Sequence, residues 1–341
     1  MIDRLFMPTP GEVDVYQGYA TQLLSGLAPY RDYWFEYPPG LLPIAVIPKL
    51  ITSNPDAYFA VWVLMIAVAV GVSTWMIGQS RLKTTKGFAG MTFLAMCMAA
   101  GIFLTHRYDI FVACIVLWGV IAYRKGNTSL SMALMVLGAF TKLYPALFIP
   151  LLFIYTPKKW AKLLATLVLT STPFLYVWGP GIPRFLEFHG QKPVQIESVQ
   201  GMLYRDTPIV YERFSYVYED TKSNPYIQYG LVIGVLGMIA HQAIKKPRTM
   251  QFEIACMMML SAFLIGGNIF SPQYMLWFAS FIPFVSFPLA LNFIGMTWLT
   301  SFYFRYYEAI TLKLEPESLL LAIRNVWLVT VFIKMIRRTI A

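Results

Sequence analysis

Carboxylates, cations and tyrosines recur in this sequence at the edges of apolar runs, where an ionisable side chain either has a task or must find a partner. The first group is Glu12-Val13-Asp14-Val15-Tyr16, followed by Arg31-Asp32-Tyr33 and Glu36-Tyr37-Pro38-Pro39. Desolvation at an apolar boundary raises a carboxyl pKa, and a carboxylate so tuned can act as a general base. The plainer reading of the same stretch is a solvated loop, with Gly26-Leu27-Ala28-Pro29 as a turn and Tyr37-Pro38-Pro39 as a helix entry.

Three further groups carry chemistry. In Thr105-His106-Arg107-Tyr108-Asp109, between two apolar runs, Arg107 and Asp109 either serve a ligand or pair with each other. Lys142, in Thr141-Lys142-Leu143-Tyr144-Pro145, is flanked by short apolar helices, so its ammonium needs a carboxylate, a carbonyl or a phosphate. Phosphate binding and a structural ion pair are its two readings. The run from His189 to Ser198 gathers a base, a cation (Lys192), amides, a carboxylate (Glu197) and a hydroxyl, although a lone loop histidine is commonly just solvated. Ser271-Pro272-Gln273-Tyr274 opens an apolar segment, with Pro272 as ordinary first-turn chemistry and Gln273 available to a cavity. Glu12 and Asp14, with Asp32 and Glu36 downstream, offer hard oxygen ligands that suit magnesium or manganese. The expectation is nonetheless no metal and no other cofactor. There is no Walker loop, dinucleotide fingerprint, His-Glu-x-x-His or nucleophile elbow, which argues against ATP-driven transport.

The elements that must position these residues are membrane helices. Of 341 residues, 57% are hydrophobic and only 13% charged, so a water-soluble surface could not be covered. The segments 57–78, 88–105, 108–123, 129–141, 145–156, 160–178, 225–243, 250–268, 273–287, 288–303 and 319–336 predict a single all-α membrane domain over 1–341, with about eleven passes or half-passes. A net charge of +10 suggests nucleic acid at first. The bases instead fall in short clusters between apolar segments: Arg81, Lys83 and Lys86; Lys158, Lys159 and Lys162; Lys245, Lys246 and Arg248; Arg337 and Arg338. That is the pattern of cytoplasmic loops, and no nucleic-acid partner is expected. The parity that puts every cluster inside leaves all but Glu253 of the 17 carboxylates at or near the outer face of the cell membrane. It also puts the long segments 1–56 and 179–224 outside, where long loops in compact membrane proteins carry function. Segments 129–141 and 145–156 are too short to cross upright and meet at Lys142, and such broken helices line cavities. Residues 40–51 are likewise short and predict an interfacial helix on the outer face. Met1-Ile2-Asp3-Arg4 provides neither signal peptide nor leading helix, so a first transmembrane helix is expected to be missing before residue 12. Cys97, Cys114 and Cys256 sit inside apolar runs and read as packing residues.

Taken in order, Asp14-x-Tyr16 with Gly26-x-x-Pro29-Tyr30 and Glu36-Tyr37-Pro38-Pro39, then Arg107-Tyr108-Asp109, Thr141-Lys142-Leu143-Tyr144-Pro145, Gln195-Ile196-Glu197-Ser198 and Ser271-Pro272-Gln273-Tyr274, resemble glycosyltransferase family 87 over about residues 12 to 290. The resemblance implies a GT-C-type transmembrane bundle with long outer loops and short interfacial or broken helices. It implies a polyprenyl-phosphate sugar as donor, mannose in the family's best-known members, and a glycolipid or glycan acceptor served at the outer face. Asp14 matches the family's candidate base. Arg107, Lys142 and Lys192 are then expected near the donor phosphate, although Lys192 stands where the family pattern suggests Arg. His189, Glu197 and Gln273 are expected near sugar or acceptor, with Asp32, Glu36, Asp109 and Tyr144 in support. A phosphate is already a competent leaving group at an anomeric carbon, so one base and a few cations suffice, and a single displacement inverts the centre. The rival from another class is a transporter or flippase of a lipid-linked or anionic solute, with Lys142 at a midplane site.

Overall fold

The computed structural model describes residues 12–80, 86–212, 215–221, 224–246, 250–304 and 317–340. Met1–Arg4, together with Arg81, Lys83 and Arg248 of the basic clusters, lies outside them. The chain is an all-α integral membrane protein. Its helices are α1 (Glu12–Leu24), α2 (Leu41–Ile51), α3 (Pro55–Gln79), α4 (Lys86–Ala99), α5 (Ile102–His106), α6 (Asp109–Arg124), α7 (Thr128–Thr141), α8 (Ile149–Tyr155), α9 (Trp160–Trp178) and α10 (Ile182–Gly190). A hairpin follows, β1 (Ile209–Glu212) with β2 (Ser215–Tyr218), and then α11 (Pro225–Lys245), α12 (Phe252–Gly266), α13 (Phe287–Tyr303) and α14 (Glu317–Ile340).

Local chemistry marks the helix starts. Asn54 accepts the Ala57 amide at 3.0 Å ahead of Pro55, and Asn224 accepts that of Tyr226 at 3.2 Å ahead of Pro225. Asn127 does the same for Leu130 at 3.1 Å and opens α7. Each cap satisfies an amide that the first turn leaves unpartnered. Among the described residues, four helical stretches are long and apolar enough to cross a membrane: Pro55–Gln79, Pro157–Trp178, Pro225–Lys245 and Leu319–Ile340. On α9 and α11, large apolar side chains such as Leu169 and Ile244 are exposed, the arrangement of helices that face lipid. At the centre, α6 is buried on every side over Asp109–Cys114, and α12 over Ala255–Ala262. The ends of these two helices are joined by Arg124 Nη1 and Glu253 Oε1 at 2.7 Å, which accounts for the one carboxylate that charge sorting left among the bases.

Three departures from the sequence expectation have physical causes. Segment 88–105 is two helices, because Gly101 at φ +55 turns the chain between α4 and α5. Segment 273–287, expected as a crossing helix, is instead a buried pair of 3-10 stretches, Pro272–Ser280 and Ile282–Phe284. Pro272 and Pro283 lie at the first and second positions of these stretches, and Ser280 Oγ donates to the Ala113 carbonyl of α6 at 2.9 Å, so the segment is packed into the core. Residues 12–24, expected within a loop, form α1, with Val13, Tyr16 and Ala20 on its buried face. The break at Lys142 is as expected. After α7 the backbone of Lys142 is extended, and Tyr144–Phe148 continues as a 3-10 turn into α8.

The segment Tyr37–Gly40 docks on this break. The Gly40 amide donates to the Phe140 carbonyl at 2.7 Å, and a Cβ at Gly40 would lie 2.5 Å from Thr141 Oγ1. Only glycine permits that approach. Gly40→Ala is therefore expected to destabilise the protein by about 1–3 kcal/mol through overpacking. A melting temperature in detergent equal to that of the unaltered protein would show that the contact is not made.

Candidate active site

The site is built around Lys142. Its Nζ lies 2.6 Å from Asp109 Oδ1, and Trp277 Nε1 donates to the same oxygen at 2.6 Å. Three aromatic rings close over the ammonium, with centroids at 4.7 Å (Tyr108), 5.2 Å (Tyr274) and 5.4 Å (Trp277). Tyr274 and Tyr144 stack on Trp277 at 3.9 and 4.2 Å. The members arrive from separate stretches of the chain. The helix break extends Lys142 inward, the first turn of α6 presents Asp109, and the 3-10 geometry of Pro272–Ser280 brings Tyr274 and Trp277 to one side. A buried ion pair is stable only with good geometry and further polar or cation–π contacts, and here all are present. Asp109 Oδ2 is buried with no hydrogen-bond partner among the described residues.

Around this pair stand the other ionisable groups. Arg107 precedes Tyr108 at the end of α5 and is within Coulomb range of Asp109 and Tyr274. Glu36 is buried enough that desolvation pushes its carboxyl above the ordinary range, against the opposing pull of Lys192 and Lys142. His189, at the end of α10, packs on Phe185 at 4.3 Å and, as its Nε2–H tautomer, donates to the Glu36 carbonyl at 3.3 Å. Burial, followed by the charge of Lys192, pushes its pKa down to about 4. Lys192 follows in the same turn, its Nζ 4.9 Å from the centroid of Phe188. The rings of Tyr16, Tyr37 and Tyr108 join α1, the Tyr37–Gly40 segment and α6 edge to face at 5.3 to 5.9 Å.

The structure thus brings together Glu36, Arg107, Asp109, Lys142, Tyr144, His189 and Lys192. Gln273 is buried beside Tyr274. Three other sequence candidates stand apart. Asp14 is exposed on α1, two residues from Tyr16 and so on the opposite side of the helix from that buried ring. Asp32 is exposed, doubly bonded to Arg31 at 2.9 Å and to the Ala28 amide at 2.8 Å; these bonds hold its carboxyl down to about 2. Glu197 is buried in a second polar cluster with Arg324, Tyr303 and Tyr218. Trp277, Arg324 and Asn325 escaped the sequence reading. For the last two a signal existed, since Arg324 interrupts an apolar segment long enough to span a membrane. Among the described residues, no group of three or more His, Cys, Asp or Glu side chains is placed to hold a metal ion.

Fold and site define a membrane protein with ionisable groups buried at a helix break and closed in by long loops. Residues 34–267 match the family model of glycosyltransferase family 87, which is more than half of the 341 residues. The chain belongs to glycosyltransferase family 87 and is a membrane glycosyltransferase. No curated protein and no solved structure matches it.

Two measurements probe this geometry. Asp109→Asn strips the buried ammonium of its counter-charge, which should cost about 3–5 kcal/mol. Adding Lys142→Met should cost less than the sum of the two single changes, and strict additivity of melting data would refute the pairing. His189 has a folded pKa of about 4 against an ordinary 6.5, so the unfolded chain binds protons first as pH falls. Stability should therefore drop between pH 6.5 and 4 and level off below. His189→Gln should lack that share, so the difference in melting temperature between the two proteins should change across this window. A constant difference would mean that His189 is not buried as described.

Proposed function

We propose that this chain transfers a hexose, mannose by the resemblance of its motifs, from a polyprenyl-phosphate donor to a hydroxyl of a glycolipid or glycan acceptor, with inversion, on the non-cytoplasmic face of the cell membrane. The observation that carries this reading is the cation set at the helix break. Lys142 is fixed by Asp109 and three rings, with Arg107 near Asp109 and with Lys192 near Glu36, which Lys142 also faces. One phosphate fits such a set, and nothing in the set calls for a base or ribose.

In the proposed step the acceptor oxygen attacks the anomeric carbon and the bond from that carbon to the phosphate oxygen breaks. The electron pair leaves with polyprenyl phosphate, held by Arg107, Lys142 and Lys192, and the hydroxyl proton passes to a carboxylate. Three cations neutralise the leaving group without a divalent ion. Asp14 is the proposed base, and its exposure suits a group that must meet an incoming acceptor. Glu36 is the rival for that role, because its carboxyl faces the lysines and burial raises its basicity. His189 and Gln273 are proposed to touch sugar or acceptor, and Tyr144 and Asp109 to hold Lys142 and its rings. Asp32 is proposed to brace the turn after α1. Basic clusters on one side and long, tyrosine-rich segments on the other support the sidedness.

Transfer assays with purified protein, lipid-phosphate mannose and a radiolabelled acceptor extract test the proposal. Asp14→Asn should lower turnover by about 10²-fold at unchanged donor affinity, and Glu36→Gln by less. The reverse order would move the base to Glu36. If the sugar-phosphate bond stays intact while the lipid crosses proteoliposomes, the chain is a transporter and the proposal fails.

A further inference from the structure

Arg324 is fully buried, although it lies on α14 within a segment apolar enough to span a membrane. Residues 317–340 also lie beyond the part of the chain that matches the family. A guanidinium at such a place is costly and needs a reason. Its Nη2 donates to the Glu197 carbonyl at 2.7 Å, and its Cζ sits over the Phe270 ring, 3.8 Å from the centroid. The neighbouring Asn325 donates from Nδ2 to the Ser198 carbonyl at 3.1 Å and to that of Glu197 at 3.4 Å. Two consecutive side chains of the last helix therefore hold two consecutive carbonyls of the 179–224 loop.

Those carbonyls belong to a tight, buried turn, in which the Ser198 amide donates to the Gln195 carbonyl at 3.0 Å. The turn is wired onward. Gln195 Oε1 accepts the Phe270 amide at 3.0 Å, and the Gln195 amide donates to the Asn268 carbonyl at 2.8 Å. Asn268 Nδ2 then donates to the Lys192 carbonyl at 2.7 Å. Lys192 shares a turn with His189, whose ring reaches the Glu36 carbonyl at the site. Every link is a hydrogen bond between buried or half-buried groups, the kind of contiguous network that transmits position. An apolar residue at 324 would remove the 2.7 Å bond to the Glu197 carbonyl and keep only the weaker geometry of the 3.4 Å bond from Asn325 in this pair of side chains. Lysine would keep the charge without the planar face that lies against Phe270.

We propose that Arg324, with Asn325, is a positioning residue. From the C-terminal helix it fixes the Gln195–Ser198 turn and thereby holds Lys192 and His189 at the Lys142 site. This rests on the proposed donor-binding role of Lys192, and the test separates the two. With lipid-phosphate mannose as the probe, Arg324→Met in the full chain should raise donor KM about tenfold or more and change kcat less, with Arg324→Lys recovering part of the loss. In a Lys192→Met background, Arg324→Met should add less than about threefold, because the group it positions is gone. Hydrogen exchange supplies a readout independent of activity. Amides of residues 194–202 should exchange faster in Arg324→Lys and Asn325→Ala, while those of α6 and α12 stay protected.

An unchanged donor KM in a folded Arg324→Met protein overturns the proposal, as does full additivity with Lys192→Met. If Arg324→Met does not fold, Arg324→Lys and Asn325→Ala carry the same comparisons. If the unaltered protein transfers nothing from lipid-phosphate mannose, the functional reading fails first, and the exchange data still decide the positioning. Exchange that is unchanged, or faster throughout the bundle, overturns it.

Discussion

An ammonium inside a low-dielectric bundle dictates much of what surrounds it. Lys142 stands at the break between α7 and the Tyr144–Phe148 turn, 2.6 Å from Asp109. Desolvating two charges costs several kcal/mol per ion, and mutual attraction offsets this only when the geometry is held and further contacts support the pair. That demand explains why Trp277 donates to the same carboxylate oxygen and why three rings face the ammonium. It also explains why Pro272–Ser280 is not a lipid-facing helix. Its 3-10 geometry stacks Tyr274 on Trp277 at 3.9 Å, close enough for both rings to face one cation. A lone buried amine would tend to neutralise itself, and the carboxylate and rings around Lys142 oppose that by stabilising the charged form.

The same pair ties distant parts of the chain together. Asp109 begins α6, one of the two central buried helices, and Tyr108 beside it packs on Tyr16 and Tyr37. Gly40 then seats the Tyr37-Pro38-Pro39 segment on the last carbonyl-bearing turn of α7. The proline-rich entry, the helix break and the first turn of α6 are one structural unit, although about a hundred residues separate Gly40 from Lys142 in sequence. That separation means that local propensity cannot form the unit before the helices have packed.

How much of this was legible beforehand depends on the kind of interaction. Helices such as 57–78 and 160–178 were readable because apolar length alone decides them in a bilayer. The break at Lys142 was readable because both flanking segments are too short to cross. The true nature of 273–287 was not, because an apolar run looks alike whether it meets lipid or protein, and only its contact with Ala113 and Asp109 distinguishes them. Asp109, Arg107 and Lys142 were recognisable as ionisable groups at apolar edges. That Lys142 pairs with Asp109 rather than with Glu36 is a tertiary fact with no local signature. Glu197 illustrates the opposite failure. Its neighbours His189 and Lys192 suggested a shared site, yet the turn at Gln195–Ser198 carries it toward Arg324.

The positions of the carboxylates then divide the site by depth. Asp109 is spent on Lys142, and Asp32 on Arg31, where its depressed pKa makes it a poor proton acceptor. Glu197 lies in the separate cluster under α14. Among the described residues expected to act on the acceptor, this leaves Asp14 and Glu36, one exposed and one sunk beside two lysines. A phosphate drawn to those lysines would compete with the Glu36 carboxylate for them, whereas Asp14 stands clear of that repulsion. In the proposed reaction, electrostatics then assigns the leaving phosphate to the buried cations and proton removal to the exposed carboxylate of Asp14.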